Sequence, residues 1–196
     1  MQLEFGEESC QQADFLSDTN LLLPKIKPEQ GQNCHTIMTF NQFVHLFPEA
    51  TLPVSITEES ASEFSLENDP LPQKAIDDFL LQFEPDVDDL TEFVPGFRIP
   101  GLNDVHALLY WKAGLLNYQY VLATFEKNGK LIDRQVIAGT ASDGTIVVRT
   151  VAQIDEDRTI YMVSGAFEGA EEEYDASQST AKEMELLPDG RMIELV

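Results

Sequence analysis

From residue 105 onwards, apolar residues recur at every second position and turn residues return at short intervals. That period predicts strands over 105–112, 117–127, 130–140, 145–154, 159–167, 179–187 and 191–196. Asn128-Gly129 is the pair preferred by a two-residue type I′ hairpin turn. With that turn, Phe125 faces Ile132, Ala123 faces Arg134 and Val121 faces Val136. SDGT (142–145), DEDR (155–158) and PDGR (188–191) supply further reversals. Consecutive hairpins make an antiparallel meander, because parallel neighbours need crossovers of about a dozen residues or more.

The two faces of each strand predict its place in the sheet. In 117–127 one face carries Val121, Ala123 and Phe125 and the other Tyr118, Tyr120 and Leu122, so both sides are expected to be covered. In 179–187, Met184 and Leu186 alternate with Glu183 and Glu185, the pattern of a strand with one wet face.

Before residue 105 the period is helical. Phe40, Phe43, Val44 and Phe47 share one helical face, with Thr39 as a cap and Pro48 as a stop. Ile76, Phe79, Leu80 and Phe83 repeat that spacing between Pro72 and Pro85. LPVSI (52–56) is a short strand. FEPDVDDLTEF (83–93) is read as a third helix start, with Asp86 as its cap, Asp88 and Asp89 in the first turn, and Val87, Leu90 and Val94 on one face. Residues 1–37 are polar apart from Leu21-Leu22-Leu23, and Pro24 and Pro28 break any helix, so an extended, partly mobile arm is expected.

The fold class expected is α+β. A curled or barrel-like antiparallel meander of about seven strands (105–196) packs two or three short helices against its inner face, and the extended arm precedes it. Residues 38–196 form one domain with a helical, acidic half (38–104).

Charge narrows the partners. The chain of 196 residues has 35 acids and 12 Lys and Arg, a net charge of −23, and residues 57–92 hold 12 acids against Lys74 alone. Nucleic acid and acidic membrane surfaces are disfavoured, whereas a basic protein partner or a cation is attracted. No apolar run of about 18 residues is present, so no membrane span is expected. Cys10 and Cys34 are too few for a disulfide scaffold, and the start MQLEFGEES lacks a signal-peptide pattern, which points to the cytoplasm. SCQQ around Cys10 resembles the start of a mature bacterial lipoprotein, although acids stand where a lipobox is apolar; export or lipid anchoring is the alternative if the true start lies elsewhere.

Catalytic signatures are sparse. The chain has no P-loop, dinucleotide fingerprint, nucleophile elbow or familiar zinc spacing. Of the three histidines, His45 lies off its apolar stripe, His106 reads as structural, and His35 joins Cys10 and Cys34 only as a weak metal set. Asp86, Asp88 and Asp89 are weak metal candidates, but the calcium-loop pattern fails, since Leu90, Thr91 and Phe97 occupy its fifth, sixth and twelfth positions. The acids of FEGAEEEYDASQ (167–178) read as a solvated loop. Tyr110, Trp111, Tyr118 and Tyr120 are the interaction candidates, with Trp111 expected opposite Tyr118. These features point to a non-catalytic protein that needs no cofactor and binds a protein partner through its acidic or aromatic face. A carrier of an apolar small molecule within the meander is the alternative, and a metal-dependent hydrolase ranks third.

Overall fold

The computed structural model describes residues 38–115, 117–168, 173–174 and 179–195. In chain order the elements are α1 (Phe40–Val44), β1 (Val54–Ile56), α2 (Ser60–Glu67), α3 (Gln73–Phe79), β2 (Glu92–Arg98), β3 (Val105–Ala113), β4 (Asn117–Glu126), β5 (Leu131–Ser142), β6 (Ile146–Ile154), β7 (Thr159–Glu168), β8 (Glu173–Tyr174), β9 (Thr180–Leu186) and β10 (Met192–Leu195). All seven strands read from the alternation are present, within a few residues of their expected ends, and they are joined as an antiparallel meander in the order β10-β9-β7-β6-β5-β4-β3-β2. The expected arm, with Cys10, Cys34 and His35, lies outside the described residues, as does most of the acidic loop 167–178.

Three local readings are corrected. The segment after Pro85 is not a helix: Asp86 has φ 54, and the chain turns through Asp88–Thr91 into β2, which pairs with β3 from Glu92↔Ala113 to Arg98↔Leu108. A backbone partner on β3 outweighs the helical spacing of Val87, Leu90 and Val94, and Leu90 is left exposed. A helix that the apolar pattern does not announce, α2, covers the sheet instead, so the helices flank both of its sides rather than one inner face. The Asn128-Gly129 hairpin has a three-residue loop, with Glu126 N–H donating to the Lys130 carbonyl at 2.8 Å and Gly129 at φ 91. Such a loop adds a bulge, so Val121↔Val136 and Ala123↔Arg134 pair as expected while Phe125 meets Leu131.

Two apolar cores use the two faces of β3 and β4. On one side Leu108, Tyr110, Val121, Ala123 and Phe125 pack under α1 and α3. The capping box expected of Thr39 is formed with Gln42, and Phe40, Phe43, Val44 and Phe47 are all buried. Phe79 joins them with its ring centroid 4.9 Å from that of Phe43. On the other side Ala107, Leu109, Tyr120 and Leu122 share a core with Ile56, Ile154, Ile160, Met162, Met184 and Leu186 from β1, β6, β7 and β9.

That second core exists because the sheet forks. β5 pairs with β4 from Leu131 to Ala141, but with β6 only over Gly139–Ser142; beyond the divergence, β1 takes the place beside β6, from Val54↔Ile154 to Ile56↔Ala152. The sheet does not close. Its far end returns to β4 and β5 through two polar contacts, Met192 N–H to the Asp133 carboxylate at 2.8 Å and the Thr124 hydroxyl to the Gly190 carbonyl at 2.6 Å.

Gly139 stands at the fork with φ 145, and a Cβ there would lie 2.1 Å from the Tyr118 carbonyl oxygen. Only glycine fits that approach. Gly139→Ala is expected to cost well above the ~1–3 kcal/mol of backbone strain alone. Gly144→Ala, at φ 91 in open space, should cost about 1 kcal/mol. Urea-unfolding midpoints of the two variants check the difference.

Candidate functional site

Strand alternation divides the aromatic candidates. Tyr110 points into the core under α1 and α3 and is fully buried, so it is not available to a partner. Trp111, one residue on, points to the other side and joins Tyr118 and Tyr120. The Trp111–Tyr118 pairing expected in the ladder is displaced by two residues, to Trp111↔Tyr120 and Ala113↔Tyr118, because the ladder runs on to Gly114, whose N–H donates to the Asn117 carbonyl at 2.8 Å. The two rings nevertheless stack across the diagonal, with centroids 5.9 Å apart and planes within 12°.

These three aromatics wall a cavity of about 360 Å³ at the fork. Its other sides come from Gly139 and Thr140 on β5, Arg149 and Thr150 on β6, and Glu58 and Ala61 around the start of α2. Tyr118 is 46% exposed, so a ring surface is open at the mouth. Tyr120 is fixed at the back, its hydroxyl accepting from the Ala61 N–H at 2.8 Å. Burial pushes its phenol up to about 12; the Ala61 hydrogen bond opposes the rise, and the charges of Glu58 and Glu63 add to it. Arg149 Nε lies 2.8 Å from Glu58 Oε1, and its guanidinium carbon sits 4.9 Å from the centre of the Phe167 ring. A second cavity, of about 500 Å³, adjoins the first and shares Glu58 and Arg149 with it, with Val151, Val163 and Phe167 as its apolar side.

A second cluster of charge lies on the opposite side of β3. The Glu84 side chain, after α3, is fully enclosed. Arg134 on β5 binds it through two parallel bonds, Nε to Oε1 at 2.6 Å and Nη2 to Oε2 at 2.8 Å. Lys112 donates to Oε2 at 3.0 Å and also to the Pro85 carbonyl, and the Tyr110 hydroxyl donates to Oε1. Burial raises the Glu84 carboxyl, but the hydrogen bonds from Arg134, Tyr110 and Lys112 outweigh it and hold the group below its ordinary value. Burial and the nearby Glu84 charge raise the Tyr110 phenol. With its carboxylate shut away from solvent, this cluster is a clamp rather than a reaction centre. The sequence did carry one sign of it: Lys112 ends an otherwise apolar strand and needs an acid.

The weak metal candidates form a turn. Asp88 accepts from the Leu90 N–H at 3.0 Å and from the Thr91 hydroxyl at 2.8 Å, while Asp86 and Asp89 are exposed. No group of three or more His, Cys, Asp and Glu suited to a metal ion occurs among the described residues. His106 packs against Phe40, with centroids 5.9 Å apart, and its imidazole is pushed down first by burial and then by Lys127, Arg98 and His45.

The clamp gives a prediction in acid. Because the Glu84 value is depressed in the folded protein, the stability it contributes is complete above the ordinary 4.5 and is lost as pH falls through the lower folded value. Glu84→Gln should cost ~3–5 kcal/mol at neutral pH, by leaving Lys112 and Arg134 without their anion. The gap between the urea midpoints of the two proteins should narrow progressively as pH falls below 4.5. The chain matches no protein-family model, no curated protein and no solved structure.

Proposed function

We propose that this is a non-catalytic binding protein that takes a small, flat ligand in the cleft where the sheet forks. The observation that carries the reading is the cavity of about 360 Å³ walled by Trp111, Tyr118 and Tyr120. Ligand sites are concave, about 300–1,000 Å³, largely apolar, and set with a few convergent polar groups. Thr140, Thr150, Arg149 and Glu58 are the polar groups of this lining. A flat body sliding along the stacked Trp111–Tyr118 pair extends an existing stack, with ring faces that are already desolvated on one side. Binding rather than turnover fits the lining, since Glu58 is its one carboxylate among the described residues and has no second acid beside it to share acid–base work. The hydrolase reading finds no converging acid cluster among the described residues to support it.

A basic protein partner is the second reading, supported by exposed Glu59, Glu63, Glu67 and Asp69 on and beside α2, with Leu66 between them 87% exposed. Binding of that kind would weaken steeply with salt.

Trp111 is the only tryptophan, so its indole N–H gives a single NMR resonance that reports on the cleft. Quinoline, a neutral bicyclic ring, is expected to shift that resonance saturably at millimolar concentration. Thr140→Phe, which fills the cavity without adding a second indole, should abolish the shift, and Tyr118→Ala should weaken it by about 3- to 10-fold through the lost stacking face. Absence of a saturable shift with quinoline and other bicyclic heteroaromatics, or its persistence in Thr140→Phe, overturns the cleft as the binding site.

A further inference from the structure

The cleft carries both signs of charge, and the two are not equally open to a ligand. Arg149 is held on two sides, by the Glu58 carboxylate at 2.8 Å and by the Phe167 ring beneath it. Glu58 is the more exposed partner, with 52% of its side chain accessible against 35% for Arg149. A carboxylate offers two oxygens with about four acceptor positions, so a contact through Oε1 leaves acceptor capacity on Glu58. Glu59, next in the chain, is exposed and lines the adjoining cavity.

The wider field has the same sign. The protein carries −23, and residues 57–92, which include this rim, hold 12 acids against one lysine. The Tyr120 phenol is raised first by burial, and the charges of Glu58 and Glu63 add to the rise. Indole and phenol faces are also negative above the ring, so the Trp111–Tyr118 wall attracts positive charge directly. An anion would approach against that field.

We infer that the ligand is a flat organic cation, a ring bearing a quaternary or protonated nitrogen, lying along Trp111 and Tyr118 with its charge toward Glu58. This rests on the cleft reading above and adds to it the sign of the ligand and the residue that selects it.

Three probes of one shape separate the two claims: quinoline, N-methylquinolinium and quinoline-2-carboxylate. Each is titrated at low salt and pH 8 against the full-length protein, with the Trp111 indole resonance as readout. N-methylquinolinium is expected to bind about tenfold more tightly than quinoline, with the carboxylate no tighter than quinoline. Glu58→Gln should bring the cation to within about threefold of quinoline while quinoline itself moves by less than about twofold. Glu67→Gln removes the same charge at an exposed position outside the cavity lining, so it should change the cation's affinity by less than about twofold. Equal binding of cation and quinoline, tightest binding of the carboxylate, or equal effects of the Glu58 and Glu67 variants overturns the cation assignment and leaves the cleft standing. If none of the probes shifts Trp111 saturably, the cleft reading and the assignment fall together.

Discussion

A single enclosed carboxylate, Glu84, ties the chain leaving α3 to β3 and β5 of the sheet. β3 and β5 place Lys112 and Arg134 on a face that would otherwise be apolar, and neither cation can be buried there alone. Glu84 answers both, with Tyr110 completing the shell. The helices it anchors are short, five and seven residues for α1 and α3, and helices of that length do not persist without tertiary contacts. Phe40, Phe43, Phe47, Phe79 and Phe125 pack there as well, but such packing is non-directional. The two parallel bonds from Arg134 fix where the chain leaving α3 must lie, and hence where β2 begins.

The clamp also determines which side of the sheet is left for binding. On β3, Tyr110 and Lys112 point toward Glu84, so Trp111 between them points the other way. On that side the sheet forks at Gly139, and β1 and the start of α2 occupy the ground beyond the divergence. A fork between strands is a place where backbone pairing ends before side chains close the gap. The cavity at Trp111, Tyr118 and Thr140 is that gap, and it is walled by the residues that happen to flank the divergence on β3 to β6.

The strands were legible in the sequence because their signals are local: alternation within each segment, and Gly, Asn and Asp at each reversal. The covered status of both faces of 117–127 followed from the same alternation. The helix over Phe40–Val44 was legible because its cap, its apolar face and its terminating proline agree. What failed depended on partners distant in the chain. VDDLTEFV fits a helix by spacing, and only β3 makes it a strand. The four aromatics looked like one cluster because they are near in sequence, but alternation along β3 sends Tyr110 and Trp111 to opposite sides. Glu84 lies within the acidic stretch FEPDVDDLTEF, where nothing local distinguishes the buried acid from its neighbours. The cavity itself had no local signal at all, because it arises from the divergence of β5 and β6.

The acid excess therefore does several kinds of physical work. Glu84 neutralises buried cations, Asp88 stabilises a turn by accepting from Leu90 and Thr91, and Asp133 ties β5 to the far end of the sheet. Only the remainder, exposed around α2 and the loops, acts mainly as a field. Such a field is screened within ~8 Å at physiological ionic strength, so distant acids contribute to steering a ligand and little to its final affinity. Selectivity at the cleft must then come from charges in its own rim. Glu58 and Arg149 are both there, and because they are paired, the net charge a ligand meets depends on their exposure rather than on their number. With the guanidinium over the Phe167 ring and the Glu58 side chain the more exposed of the two, the rim presents its negative member more openly.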